Sequence, residues 1–360
     1  MAKLCVIHYN NSLIFILMRA ISYFLRHIYR EYYNNYFSNR NFNLFIIFFG
    51  ESLTMLFYLM VKKYLVINNK NKKVFRIKKD DSKNKLSFFI YFLIFFCAGL
   101  DLTTSFYYID YFYYKDKKKI NQFDEIKNFF FIIIIFFFEN KYLNKPNYGH
   151  HYLGIFLCCI SLIIKIINFS FTDYKTALLL FVYIQCGFCL SAEILIEKSL
   201  NFDYFIDIYF ICAFEGIFGI ILVILVILIF YEYESIFSFI RIFDIKKFLL
   251  VMAVDCVITL WYNISRLKIV EKNRASYNSI GNILTDVLIV IFEFIKKENN
   301  WEFQSIFSLI FALVGCLIFC EVIVLNFWNL DKYTFDKTSK RGINESIDME
   351  ENKINDSFDE

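Results

Sequence analysis

The sequence predicts an all-α polytopic membrane protein, about ten transmembrane helices in two five-helix halves related as inverted repeats. Three observations predict it. Hydrophobic residues make up 58% of the 360-residue chain, where soluble domains run at about 45–50%. Apolar runs near the ~20 residues that cross a bilayer core recur between charged joints. Most of the 10 Gly lie inside or at the edges of those runs, where small residues let helices approach closely in lipid.

The runs divide the chain into residues 1–42, an N-terminal segment with a weak first span, 43–173 and 174–327, the two helical halves, and 328–360, a disordered cytosolic tail. The first span, Asn11–Arg26, is short and interrupted by Arg19. Asn43–Val61 follows and carries Gly50-Glu51. The joint from Lys62 to Lys85 is strongly basic, against only Asp80 and Asp81. A basic run wedged between two spans reads as a cytosolic loop, and no folded nucleic-acid module fits there. Leu86–Tyr108 contains Asp101, and Phe123–Tyr142 opens on Asp124, Glu125 and Lys127. His150 and His151 precede Tyr152–Phe169 and read as interface residues.

The second half begins with Thr176–Leu195. Glu193, Glu197 and Lys198 close that span and read as interfacial, while Cys186 and Cys189 read as small buried apolar groups rather than a redox pair. Tyr204–Phe230 is apolar throughout except for Glu215, directly before Gly216. Phe248–Leu267, Ala275–Ile295 and Gln304–Phe327 complete the set, with Glu321 expected to snorkel from the end of the last. The excess of Lys/Arg on alternate joints orients both termini toward the cytosol. The N-terminus has no clean small-residue cleavage site, so no cleaved signal peptide is expected.

Two spans carry polar groups at helical spacing. Ala98, Asp101 and Ser105 form one narrow stripe beside Thr104, and Ala275, Asn278, Asn282 and Asp286 form another. Beside Glu215, Ala213, Gly216 and Gly219 make a small-residue face suited to helix packing. Polar groups facing lipid would have no partners, so the stripes must turn toward each other or toward a wet cavity. For Ser, Thr and Asn, interhelical hydrogen bonding alone is an equal reading. For Asp101, Glu215 and Asp286 a functional reading leads, because an ionisable group is a costly way to make one contact. Phosphate loops, metalloprotease motifs and nucleophile elbows are absent, so no enzyme and no cofactor or metal site is expected.

"ILIEKSLNFDYFIDIYFICAFEGIFG" resembles the drug/metabolite transporter superfamily, and is similar to the F branch of solute carrier family 35 in the nucleotide-sugar-transporter-like group. That resemblance rests on Glu197-Lys198 and on Glu215 through Gly219. It is joined in order by "FFGESL" with Glu51, "GLDLTTS" with Asp101, "FDEIKN" with Lys127 and "WYNISRLKIVEKNRA" with Asn263. It covers roughly residues 43–327. It implies a secondary-active carrier of a small metabolite or drug-like solute, working by alternating access in an intracellular membrane. Its solute or ion site would draw on Glu51, Asp101, Lys127, Glu215, Asn263, Asn278, Asn282 and Asp286. A proton or another cation would be the coupling partner, with the bilayer around it and a homodimer compatible with it. In the ninth span the family's Arg position is occupied by Asn278, which argues against an anionic phosphate cargo. A non-transporting membrane scaffold or adaptor is the alternative reading.

Overall fold

The structure is a computed structural model that describes residues 5–7, 11–68, 83–112, 117–143, 148–167, 174–204, 206–272, 275–296 and 303–325. The tail from 328 onward and most of the basic loop between the second and third spans lie outside the described residues.

Helices occupy each of the ten apolar runs, the last of which is helical only as far as Phe319. The helices are α1 (Asn11–Tyr32), α2 (Arg40–Ser52), α3 (Thr54–Asn68), α4 (Lys83–Phe112), α5 (Lys117–Leu143) and α6 (Gly149–Ile167). They continue as α7 (Tyr174–Phe202), α8 (Ile208–Ile229), α9 (Tyr233–Arg241), α10 (Ile245–Lys272), α11 (Tyr277–Ile295) and α12 (Phe303–Phe319). A short 3-10 turn, Asn34–Phe37, joins α1 to α2. The second run is divided at Leu53 into α2 and α3. The short amphipathic helix α9, in the joint between two runs, was not expected. It turns Phe239 into an aromatic cluster with Phe42, Phe243 and Phe248.

Five stretches are long and apolar enough to cross a membrane: Arg40–Met60, Phe88–Ser105, Leu180–Asn201, Ile208–Ile229 and Ile245–Glu271. Four further apolar helical stretches are shorter, Phe130–Glu139, Gly149–Ile164, Tyr277–Phe292 and Ile306–Phe319. Of the about ten spans expected, five are thus long and apolar enough to cross a membrane among the described residues. Asn128 of α5 and Asn278 of α11 are buried in the bundle interior. The protein is a membrane-embedded helical bundle, and its burial is inverted relative to a soluble fold. Phe88 is 77% exposed and Phe181 65%, while Asp255 and Glu197 are 0% exposed and Arg19 2%. Hydrocarbon accepts the phenyl rings and offers charges no partner, so the charged groups turn inward.

α1 packs along α10 and α11, and α7 packs along α4 and α5. α2 lies against α8 and α10, and α8 against α2 and α4. α5 meets α11, and α6 meets α12 most extensively of all. That last pair is antiparallel and self-complementary. Ser161 Oγ donates to Ser308 O at 2.7 Å and Ser308 Oγ to Ser161 O at 3.1 Å. Seven residues away on each helix, Gly154 and Gly315 let the backbones touch. A Cβ at 154 would lie 2.7 Å from Gly315 O, and one at 315 would lie 2.8 Å from Gly154 O. Glycine is what that crossing requires.

A two-stranded ladder of three residue pairs closes one end. β1 (Cys5–Ile7) runs antiparallel to β2 (Ile323–Leu325), with Val6 opposite Val324. It ties the start of the chain to the segment that follows α12.

Candidate functional site

A cavity of about 140 Å³ lies at the centre of the bundle. Side chains from α1, α2, α4, α5, α7, α10 and α11 line it. α1 contributes Arg19, Arg26 and Arg30, which stand at steps of seven and four residues and so share one face of the helix. Arg19 is held by neutral groups. Its Nη1 donates to Asn278 Oδ1, and its Nη2 donates to Asn282 Oδ1 at 2.8 Å and to Tyr262 Oη at 3.0 Å. Its guanidinium also lies 5.2 Å from the centroid of the Tyr262 ring. Gly281 makes this approach possible, since a Cβ there would come within 2.9 Å of Arg19 Cδ.

The network continues from that arginine. Asn282 Nδ2 donates to Asn128 Oδ1 at 3.3 Å, and Asn128 Nδ2 donates to Asp286 Oδ2 at 2.7 Å. The polar stripe of α11 is therefore joined through Arg19 to α1 and through Asn128 to α5. Across the cavity, Glu51 of α2 and Asp101 of α4 are neighbours. Ser105 Oγ donates to Asp101 Oδ1 at 3.3 Å.

Two buried ion-pair systems flank the cavity. Arg30 forms a fork with Asp255, Nε to Oδ1 at 2.9 Å and Nη2 to Oδ2 at 2.7 Å, the bidentate geometry that gives such pairs their strength. Arg26 Nε is 3.8 Å from the same carboxylate. In the other system Arg266 donates from Nη1 to Glu193 and from Nη2 to Glu197 at 2.7 Å, and lies 3.7 Å from Glu215 Oε2. Lys198 turns away from these acids and donates to Val270 O and, at 3.3 Å, to Glu271 O.

Of the eight residues named from sequence, Glu51, Asp101, Lys127, Asn263, Asn282 and Asp286 line the cavity. Asn278 lies behind its wall against Arg19, and Glu215 lies behind it against Arg266. Gly216 and Gly219 pack against α2, where added Cβ atoms would run into Phe48 and the backbone of Glu51 and Ser52.

Several sequence readings are corrected here. Glu193 and Glu197 are not interfacial: they are 1% and 0% exposed, drawn inward by Arg266. His150 and His151, at the start of α6, are 1% and 0% exposed, packed against Glu321. Glu321 is itself buried and accepts or shares a hydrogen bond with His150 Nε2 at 2.9 Å rather than snorkelling. Arg19 is not a flaw in a weak first span but a central lining group. It also alters the argument about charge, because α11 has no cation at Asn278 yet receives one there from α1. Arg19, Arg26, Arg30, Asp255 and Arg266 were missed as site residues. A signal for them exists: the arginines share one face of α1, and Asp255, Thr259, Tyr262 and Arg266 recur at helical spacing on α10.

Two side-chain groups have metal-ligand character, Glu193–Glu197–Glu215 and His150–His151–Glu321. In the first, the Arg266 guanidinium already occupies the place of the counter-cation. In the second, His151 Nδ1 accepts the Tyr148 N–H at 3.0 Å. The neutral ring then carries its proton on Nε2, toward Glu321, where a metal ligand would need a lone pair. Both groups serve as polar ties between helices, the first through Arg266 and the second through Glu321.

Compared with known proteins, the chain matches no family model and no curated sequence.

Proposed function

We propose that the chain is a secondary-active carrier of a small solute, of the drug/metabolite transporter type, working by alternating access in an intracellular membrane. The observation that carries this reading is the central cavity, into which a lipid-facing bundle turns charges from seven helices. Such groups are expensive in a membrane and mark solute and ion pathways. A scaffold held together by polar contacts needs no hollow between them.

The helix pairings support a two-repeat construction. Let α1, α2–α3, α4, α5 and α6 be one set, and α7, α8, α10, α11 and α12 the other, taken in order. Exchanging the sets turns α1 on α10 and α11 into α7 on α4 and α5, both of which occur. It turns α2 on α10 into α8 on α4, and it maps α2–α8, α5–α11 and α6–α12 onto themselves. Carriers built from repeats bind their solute where the repeats meet.

Alternating access requires a tie between the halves at each end that can open in turn, and in this structure the ties at both ends are closed. At the start of α11, Glu139 of α5 accepts from Ala275 N at 2.9 Å, Ser276 N at 3.4 Å and Ser276 Oγ at 2.7 Å. Near the end of α11, Lys296 is 3.6 Å from Glu31 of α1, and the preceding residue on α1, Arg30, holds Asp255. Both ties cross between the halves, and they stand at opposite ends of the same helix. Glu215, Asp101 and Asp286 are the groups that bind a cation or carry a coupling proton.

The β1–β2 ladder brings the two ends of the bundle to one side, and the basic residues between Lys62 and Lys85 favour the cytosol for that side. The test is flux into proteoliposomes across a panel of metabolites, with and without a pH gradient. Wild-type protein should transport at least one solute, and Glu215→Gln should abolish or uncouple that flux while inserting normally. Identical flux from Glu215→Gln removes this residue from the mechanism, and impermeability of the wild type to the whole panel removes the carrier reading.

A further inference from the structure

Charges of both signs line the cavity, among them Lys127 and Asp286, and Asp286 is tied through Asn128 and Asn282 to Arg19. Arg30 is committed to Asp255, and Arg266 to its glutamates. On the α1 side this leaves Arg19, bound only to neutral groups in its hydrogen bonds, and Arg26, whose closest carboxylate is 3.8 Å away. Arg26 is 8% exposed, and its Nε and Nη2 have no hydrogen-bond partner; Arg19 Nε has none either. On the α2 and α4 side stand Glu51 and Asp101. Among the described residues neither Arg19 nor Arg26 closes an ion pair within 4.0 Å on Glu51 or Asp101. The hollow separates them.

A buried donor without a partner costs about 1–3 kcal/mol, more for a charged one, and opposite charges held apart in a medium of low dielectric attract strongly. A fold that keeps both charges but prevents them from meeting is complementary to something that carries both signs. We propose that the cavity binds a compact zwitterion, its carboxylate on Arg26 and Arg19 and its ammonium group against Glu51 and Asp101. The size limits the ligand. At about 140 Å³ the cavity resembles the engineered cavity of about 150 Å³ that takes up benzene, a molecule of six non-hydrogen atoms. That is the scale of a small amino acid and far below that of a nucleotide. The inference rests on the carrier reading for its meaning, but the binding site can be tested apart from it.

The experiment uses the full chain in nanodiscs, with calorimetric titration of four probes: L-alanine, β-alanine, propionate and n-propylamine. At least one zwitterion should bind about tenfold or more tighter than both single-charge probes. Arg26→Gln should weaken the zwitterion and propionate while sparing n-propylamine, and Glu51→Gln should do the reverse. Propionate or n-propylamine binding as tightly as the zwitterions overturns the proposal, as does a failure of all four probes on folded wild-type protein. Because the probe comparison is made on the wild type, it stands even where a variant does not fold. Counterflow of the bound zwitterion in proteoliposomes then separates the two claims. Binding without counterflow refutes the carrier and keeps the site. Flux of propionate or n-propylamine without preference for a zwitterion keeps the carrier and refutes this ligand class.

Discussion

Replacing Arg266 by Met is the sharpest probe of how the bundle is held. The guanidinium serves two carboxylates directly and a third at 3.7 Å, and all of these side chains are at most 7% exposed. Methionine has similar length and suits the surrounding packing, so the loss is almost purely one of charge and hydrogen bonds. Glu193, Glu197 and Glu215 each already have one buried oxygen without a hydrogen-bond partner, so nothing nearby takes over. Removing one partner of a buried ion pair costs about 3–5 kcal/mol. At about 2 °C per kcal/mol for a long chain, the apparent Tm in detergent should fall by about 6–10 °C. Adding Glu193→Gln and Glu197→Gln to Arg266→Met should recover most of that loss, because amides need no counter-charge; the residues touch, so their effects are far from additive. A scan of purified protein by intrinsic fluorescence reads both. An Arg266→Met protein as stable as wild type, or a triple variant no better than Arg266→Met, would refute the account of this cluster.

The other predictions concern packing, the ties and the tail. Gly154→Ala puts a methyl group 2.7 Å from Gly315 O and 2.8 Å from Phe319 Cβ; it should cost about 1–3 kcal/mol as overpacking, whereas Ser161→Ala at the same interface should cost about 0.6 kcal/mol, a contrast that thermal unfolding resolves. Glu139→Ala strips the acceptor from the first turn of α11 and should cost about 0.5–2 kcal/mol, as loss of a helix cap does, with faster amide exchange at Ala275 and Ser276. Gly281→Ala should lower Tm and weaken solute binding together, since the Cβ meets Arg19 Cδ at 2.9 Å and pushes its buried guanidinium off Asn278, Asn282 and Tyr262; unaltered binding would take Arg19 out of the site. Truncation after Trp328 should preserve flux, and loss of function on truncation would favour an adaptor whose tail binds partners.

Much of the helical architecture is legible in the sequence because hydrocarbon imposes it locally. A run of apolar residues in lipid must satisfy its own backbone, so each run could be read as a helix one at a time. The acids inside those runs were legible for the same reason. Asp101, Glu215 and Asp286 stand out as ionisable groups with no business facing lipid; Asp101 and Asp286 line the cavity, and Glu215 lies behind its wall against Arg266. The arginines were not legible in the same way. Arg19 in a short span reads as an interruption, and Glu193 and Glu197 near a span end read as groups that reach headgroups. Their burial depends on which helix lies alongside.

That is the division between the two levels. Composition and periodicity determined that this chain is a membrane-embedded helical bundle and that its polar groups turn inward, because the cost of exposing a charge to lipid is a property of the residue and its medium. Only the tertiary structure decided which charges meet. The pairing of Arg266 with three glutamates, the fork of Arg30 on Asp255 and the delivery of Arg19 to the face of α11 each join residues far apart in sequence. Coulomb interaction acts through space over a few ångströms, and no local pattern along the chain records that distance.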